Sequence, residues 1–336
     1  MGCILADTKL TGQINGKELM IFDMKPLKFL FAICLISLCT ACALPNKDTN
    51  KYQPYTRMLI GSSRLPALFW SPLNTYVVDI ASGDEIHWNI PQGLGGEVKW
   101  SPSGEWIVFS TLWTKGARAG GNAEIYIMKY PEGNVIKVTD YPYDDTDPSW
   151  SPSGREITYE SNGQIVVLAV DCYMNQVECD AEPLALAKGY SPDWSSNGKW
   201  ISYQWEGKIY MIPSQGGEPI NLTTNSFDCA NPNWSPVDMR ITFACDDGIN
   251  VLNVDDNNGP IKIKTGSGYT REPTWSPDGL KIAFISDRED YGLGKPLGSD
   301  GMIRSNAVFL GNVDGSDLRR ISPYDDEDIL WYTWMP

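Results

Sequence analysis

Residues 275–279 read Trp-Ser-Pro-Asp-Gly, and this phrase recurs along the 336-residue chain. Its copies begin at Trp100, Trp150, Trp194, Trp234 and Trp275, and a degenerate sixth copy, Trp334-Met-Pro, ends the sequence. Successive tryptophans are 50, 44, 40, 41 and 59 residues apart. Recurrence at about 40 to 60 residues indicates a repeated supersecondary unit that gains stability by stacking on its neighbours.

The residues after each phrase predict β-strands. After Trp275, for example, come Lys281–Phe284, Ala307–Leu310 and, past the turn Asp314-Gly-Ser, Leu318–Ile321. Pro presets φ for the turn inside the phrase, and Gly accepts positive φ without steric cost. A Trp at the end of the innermost strand can pack between adjacent units. A four-stranded sheet cannot cover both of its own faces, so the units must close into a ring.

The two ends of the repeat region share one unit. Arg57–Gly61, Thr75–Asp79 and Glu85–Trp88 provide three strands with no full phrase before the first; Trp70-Ser-Pro-Leu-Asn echoes the phrase between two of them. The C-terminal Ile329–Trp334 supplies the missing innermost strand. The sequence therefore predicts an all-β, six-bladed propeller over residues 55–336, with blade one closed by both termini and no exposed sheet edge.

The spaced phrases resemble the WSPDG-type, WD-like repeats of TolB-like propellers, which also occur in the propeller domains of prolyl-oligopeptidase relatives. The resemblance covers about residues 55–336. It implies a propeller that works by binding. The additional N-terminal domain of the TolB family and the hydrolase domain of the peptidase relatives are not expected here, so TolB's own partners are not carried over.

The first 42 residues predict an export segment. Lys25 and Lys28 precede the apolar run 29–38, which is too short for a standard membrane span and typical of a secretory signal. Thr40-Ala41-Cys42 resembles a bacterial lipobox, which implies lipidation of Cys42. An uncleaved signal anchor is the alternative. Residues 1–23 fit no signal pattern, and Met24 is an alternative start of the protein. Residues 43–54 are predicted to form a linker.

The charge of the chain limits the classes of partner that are expected. The chain has 27 Lys and Arg against 42 Asp and Glu, a formal charge of −15. Binding to nucleic acid depends on basic side chains that neutralise phosphates, so nucleic acid is not an expected partner.

The cysteines of the body suggest two disulfides. Cys172, Cys179, Cys229 and Cys245 form an even set in an exported region. We expect Cys172–Cys179 across a loop and Cys229–Cys245 between neighbouring strands, although the sequence allows three pairings. Zinc is the rival interpretation, but the body contains no CxxC motif and the chain has one histidine.

Three long loops are candidate binding elements. They join the second and third strands of blades one, two and six at about residues 61–74, 111–122 and 287–305, and ring closure makes these blades neighbours. Aromatic and basic residues on long loops are typical binding anchors. The candidates are Phe69, Trp70, Trp113, Lys115, Arg118, Arg288, Tyr291 and Arg304. The alternative is that these loops only cover one another.

The face with these loops is also expected to be acidic near the ring axis. Three residues before the motif tryptophans stand Glu97, Asp147, Ser191, Asn231, Glu272 and Trp331, and acidic clusters lie at 144–147 and 325–328. The candidate carboxylates are Glu97, Asp147, Glu272, Asp326 and Asp328. They could attract a basic peptide or a cation. Calcium is possible, although neither cluster has the DxDxDG spacing; no other cofactor is expected. Solvated, turn-capping carboxylates are the alternative.

Catalysis is not expected. The single histidine, His87, falls in an outermost strand, and no GxSxG elbow is present. The leading hypothesis is a non-enzymatic propeller, lipid-anchored outside the cytoplasm, that binds a protein or peptide of the cell envelope. The first alternative is a carbohydrate-binding or glycan-hydrolysing propeller that uses a pair of axial carboxylates. A scaffold of an envelope complex is the second.

Overall fold

The computed structural model describes most of the repeat region. The described residues are 57–63, 74–82, 84–87, 98–111, 122–131, 133–224, 228–256, 258–265, 269–287, 306–322 and 328–335. All of them lie in the unit Pro54–Pro336. The predicted export segment, Cys42 and the linker fall outside this set. Within it, no helix has the length and apolar character of a membrane span.

Six four-stranded antiparallel sheets make up the described structure. Blade one contains β1 (Arg57–Ser63), β2 (Asn74–Asp79), β3 (Glu85–His87) and, as its innermost strand, β24 (Asp328–Trp334). Blade two contains β4 (Val98–Trp100), β5 (Trp106–Ser110), β6 (Ile125–Lys129) and β7 (Val135–Lys137). Blade three contains β8 (Asp145–Trp150), β9 (Glu156–Ser161), β10 (Gln164–Ala169) and β11 (Leu184–Lys188), with the helix α1 (Asp171–Asn175) before β11.

The last three blades repeat this order from the axis outward. Blade four contains β12 (Tyr190–Trp194), β13 (Trp200–Trp205), β14 (Lys208–Pro213) and β15 (Ile220–Asn221). Blade five contains β16 (Cys229–Trp234), β17 (Arg240–Cys245), β18 (Gly248–Asn253) and β19 (Ile261–Lys262). Blade six contains β20 (Thr270–Trp275), β21 (Lys281–Ser286), β22 (Ala307–Asn312) and β23 (Arg319–Arg320). The six-bladed propeller predicted from the repeats is confirmed.

The C-terminal strand closes the ring as predicted. β24 pairs antiparallel with β1, so that Met58 lies opposite Trp334 and Ile60 lies opposite Tyr332. The backbone N–H of Met335 also donates to the Arg57 carbonyl at 3.0 Å. Blade one is thus assembled from sequence segments about 270 residues apart. We call the face where the innermost strands begin the upper face, and the face with the phrase turns the lower face.

The repeated phrase builds the same lower-face turn in several blades. In blade six, the Ser276 carbonyl accepts from the Gly279 N–H at 2.8 Å, and the Lys281 N–H donates to Ser276 Oγ at 2.9 Å. The Asp278 carboxylate accepts from the Leu280 N–H at 3.0 Å. Gly279 has φ +69°, which L side chains rarely adopt. The Ser, Asp and Gly of the phrase therefore each have a defined role in the turn.

The phrase tryptophans pack between blades. Trp275 of blade six is 3% exposed, and its indole N–H donates to the Asn233 carbonyl of blade five at 3.1 Å. The Arg240 guanidinium lies 4.4 Å from the centre of the same indole. Trp150 likewise donates to the Lys99 carbonyl of blade two at 3.3 Å. The predicted inter-blade role is confirmed at these positions.

Both expected disulfides are present. Cys172–Cys179 closes the loop that contains α1, and Cys229–Cys245 joins directly paired residues of β16 and β17. The structure thus selects one of the three pairings that the sequence allowed. The second bridge ties the start of an innermost strand to the end of its neighbour on the upper face.

Replacing Trp275 with Ala should strongly destabilise the propeller. The change removes a buried indole from the interface of blades five and six, and such truncations typically cost about 3–5 kcal/mol. The measurement is the free energy of unfolding from urea titration followed by fluorescence. The matched control is Leu280→Ala, since Leu280 is 65% exposed on the lower face. Equal effects of the two changes would contradict the inter-blade role.

Candidate functional site

The innermost strands of blades three to six share a distortion that directs polar side chains to the ring axis. The residue three before each tryptophan has positive φ, between 51° and 52°, and a proline follows it; these residues are Asp147, Ser191, Asn231 and Glu272. The pairing register with the second strand shifts at the same place. Such bulges re-aim side chains. The four residues and their prolines line the central channel, which encloses about 50 Å³.

A hydrogen-bond network joins the blades around this channel. The Asp193 carboxylate of blade four accepts from Ser149 Oγ of blade three at 2.7 Å and from Asn233 Nδ2 of blade five at 3.0 Å. It also accepts from the Trp234 N–H at 2.7 Å. Asn233 Oδ1 in turn accepts from the Trp275 N–H of blade six at 3.1 Å. Four consecutive blades are therefore connected by polar contacts at the axis.

The two described carboxylates predicted for the axial mouth already have protein partners. Glu272 forms an ion pair with Arg271, and the Tyr332 hydroxyl donates to the Glu272 carbonyl. Asp147 accepts from Ser191 Oγ of the next blade at 3.1 Å. These carboxylates are held in place by neighbouring groups, which suits a fixed, polar channel wall.

The acidic cluster at residues 144–147 divides into three environments. Asp144 accepts from the Ala123 N–H of blade two at 2.7 Å, so it caps a backbone group as the alternative interpretation supposed. Asp147 lines the channel. Asp145 is completely buried at the start of β8. One short stretch of sequence therefore contributes a cap, a channel residue and a buried acid.

Asp145 is a completely buried carboxylate. Neither of its carboxylate oxygens has a hydrogen-bond partner among the described residues. Burial raises the pKa of Asp145, and the charges of Glu124 and Glu160 raise it further. The nearby Ser161 and Thr139 hydroxyls offset this only in part. Asp145 thus favours its neutral form more than an exposed aspartate does.

A larger concavity of about 330 Å³ lies on the upper face over blades four, five and six. We call it the aromatic cleft. Its lining includes Tyr190, Trp205, Glu206, Asp228, Asp246 and Tyr269, with the Cys229–Cys245 disulfide among the remaining residues. Asn231 lines both this cleft and the channel, so the two concavities adjoin.

Only part of the predicted site lies among the residues that the structure describes. Asp147 and Glu272 both line the channel. Glu97, Asp326 and all eight loop candidates, Phe69, Trp70, Trp113, Lys115, Arg118, Arg288, Tyr291 and Arg304, lie outside the described residues, and of Asp328 only the backbone is described. The ligand-binding role of all these residues stays a prediction.

Sequence reasoning missed the Asp193 network and the aromatic cleft. A signal for the network exists, because the residue before each phrase tryptophan is polar in all six copies: Lys99, Ser149, Asp193, Asn233, Thr274 and Thr333. The cleft has no comparable signal, since its aromatic residues come from blades four and six and no repeat relates them. Within the described part of the chain, no three His, Cys, Asp or Glu side chains form a metal-binding group, and calcium stays a prediction.

These features define the class of protein: a six-bladed propeller with a bulged, polar channel and an acidic, aromatic upper face. The family model described as PD40, TolB beta propeller domain, matches residues 71–247, just over half of the chain. The chain belongs to this TolB β-propeller family.

Known relatives match shorter parts of the chain. YuxL of Bacillus subtilis (strain 168), described as an uncharacterized peptidase, is 31% identical over 84 residues, or 25% of this chain and 12% of YuxL. The uncharacterized protein Atu1656 of Agrobacterium fabrum is 31% identical over 86 residues, 26% of this chain and 27% of its own length. The chain thus matches only a minor part of either relative.

A solved structure described as TolB from Agrobacterium tumefaciens has the same fold. It superposes with a TM-score of 0.54 at 17% identity, over 84% of this chain and 99% of that chain. At this identity the likeness establishes the propeller architecture and nothing about ligands.

The Asp145→Asn variant should lose less free energy of unfolding than the wild type as the pH rises. Because the folded-state pKa of Asp145 is raised, the folded protein keeps a proton that the unfolded chain has lost between pH 3.8 and that raised value. Asp145 therefore lowers the free energy of unfolding as pH rises through this window. The measurement is urea unfolding of both proteins from pH 3.5 to 8. Parallel curves for wild type and Asp145→Asn would contradict this account; Asp256→Asn, at an exposed site, is the control.

Proposed function

We propose that this chain is an exported, lipid-anchored propeller that captures a protein or peptide of the cell envelope on its upper face and performs no chemistry of its own. One observation carries the proposal: the upper face has adjoining concavities with exposed aromatic side chains and carboxylates on a rigid wall. Rigid concave surfaces with aromatic anchors are typical of recognition sites. The long loops predicted for blades one, two and six would extend this surface.

The disulfides support a location outside the cytoplasm. Cys172–Cys179 and Cys229–Cys245 are both internal to the propeller, and structural disulfides persist mainly in oxidising compartments. The basic residues and apolar run before Cys42 give the same indication. Export and anchoring at Cys42 together would hold the upper face within reach of envelope proteins.

The polar channel supports binding over catalysis. Asp193 accepts hydrogen bonds from three donors, and Asp147 and Glu272 contact Ser191 and Arg271. A pair of carboxylates that performs glycosidic chemistry needs one group free to give up a proton and another free to attack or activate water. The contacts of the described carboxylates stabilise the ring instead.

The test of the binding function is affinity capture from an envelope extract of the native host, followed by mass spectrometry. We expect the tagged full chain to enrich one or a few envelope proteins. The double change Trp113→Ala and Tyr291→Ala should weaken this capture about tenfold or more, because loop aromatics commonly anchor interfaces. The melting temperature should not change.

The control for this experiment is Val237→Ala with Leu280→Ala, which removes two exposed apolar side chains from the lower face. It should leave capture intact. Unchanged capture by the loop variant would refute the assignment of Trp113 and Tyr291. If the full chain enriched no protein but bound glycans on an array, the carbohydrate-binding alternative would replace the proposal.

Replacing Cys42 with Ala should remove the lipid from the protein. In cells fed an alkyne-bearing palmitate, the wild-type protein should be labelled and sediment with membranes, whereas the variant should be unlabelled. A single acyl chain holds a protein only marginally, so this readout reports the full lipoprotein modification. Labelling that persists in Cys42→Ala would overturn lipidation at this residue; Cys39→Ala is the matched control.

A further inference from the structure

Hydrogen bonds, a tight turn and a disulfide constrain the wall of the aromatic cleft. In the turn between β13 and β14, Glu206 and Gly207 have φ 49° and 70°, and a Cβ on Gly207 would collide with the Asp228 carboxylate. The Cys229 N–H donates to the Gly207 carbonyl at 2.9 Å, and the Asp246 N–H donates to the Asp228 carbonyl at 3.0 Å. The Cys229 bond joins blade five to blade four, whereas the Asp246 bond and the Cys229–Cys245 disulfide hold β16 and β17 together within blade five. A preorganised site loses little entropy on binding.

Three aromatic side chains line this cleft, two from blade four and one from blade six. Tyr190 and Trp205 stack with ring centres 6.0 Å apart at an interplanar angle of 22°. Tyr190 is 43% exposed, and Tyr269, at the start of blade six, is 64% exposed. Exposed ring faces bind cations through the negative charge of the π system, and Trp binds them best.

Three carboxylates also line the cleft. Glu206, Asp228 and Asp246 are all exposed, and in the described part of the chain no ion pair neutralises them. No Lys or Arg belongs to the described lining. Three negative charges beside aromatic faces, on a chain with a formal charge of −15, make a potential that favours a cationic ligand.

We propose that the aromatic cleft binds a lysine- or arginine-bearing segment of a partner protein, with the cationic side chain between the aromatic rings and the three carboxylates. This inference rests on the proposed binding function and names the chemistry of its partner. A peptide segment suits the cleft because its volume of about 330 Å³ exceeds one side chain and because it adjoins the channel at Asn231. The main chain of the segment can therefore extend toward the axis.

The experiment uses a phage-displayed library of random ten-residue peptides, selected on the immobilised full chain. Three proteins are compared: the wild type, a cleft variant with Glu206→Gln, Asp228→Asn and Asp246→Asn, and a control variant with Glu105→Gln, Asp255→Asn and Asp256→Asn. The control residues are exposed on the lower face, so both variants lose three charges and have equal net charge. Thermal unfolding should show that all three proteins are folded.

We expect Lys and Arg to be enriched in peptides selected on the wild type and on the control variant, and not on the cleft variant. The best peptide, titrated against each protein, should bind the cleft variant about tenfold more weakly, because three exposed charge pairs each contribute modestly. Tyr269→Ala should weaken binding severalfold. Replacing the peptide's arginines with citrulline, which keeps the shape and removes the charge, should abolish the difference between the variants.

Two results would overturn the proposal: no enrichment of basic residues on the wild type, or equal enrichment on the cleft variant. Affinity capture distinguishes this failure from failure of the proposed function. If envelope proteins are captured equally by wild type and cleft variant, the binding function stands and the cleft assignment falls. If the cleft selects basic peptides but no envelope protein is captured, the cleft chemistry stands and the proposed function falls.

Discussion

Each blade of this propeller has two apolar faces, and both must be covered by neighbouring blades. The strand β21 shows this: Ile282 and Phe284 pack toward blade five, whereas the alternate residues Ala283 and Ile285 pack toward blade one. Because successive side chains of a strand point to opposite faces, a blade at the end of an open row would expose half of these residues. Pairing of β24 with β1 removes that open end.

Ring closure also determines what the axis can contain. Six innermost strands converge there, and the described channel is small, so its wall is built from short polar side chains and prolines. The bulges at positions such as Asp147 and Asn231 place backbone in the left-handed region, which is costly for residues other than glycine. The contacts around Asp193 and Asn233 hold this geometry across four blades. The centre of the ring is therefore a rigid support for the surfaces beside it.

The blades differ from one another most clearly on the upper face. The lower face repeats one turn, and its serine, glycine and aspartate residues are used in closing it. On the upper face, by contrast, the first residue of the innermost strand differs between blades. It is Asp145 in blade three, the disulfide-bonded Cys229 in blade five and Thr270 in blade six. A common fold carries different sites in different proteins because residues at such positions are not required by the repeated phrase.

The repeat phrase was sufficient for the fold: its Trp spacing predicted six blades, and the unmatched strands at both ends predicted closure at blade one. The sequence also indicated the channel position three before each Trp and the two disulfide pairs, because these features depend on local turns and strand order. The aromatic cleft could not be predicted, since Tyr190 and Trp205 lie in two strands of blade four, Tyr269 precedes β20 in blade six, and no pattern relates them. Likewise, Asp144, Asp145 and Asp147 look alike in sequence, and only packing against blade two makes one a cap, one a buried acid and one a channel residue.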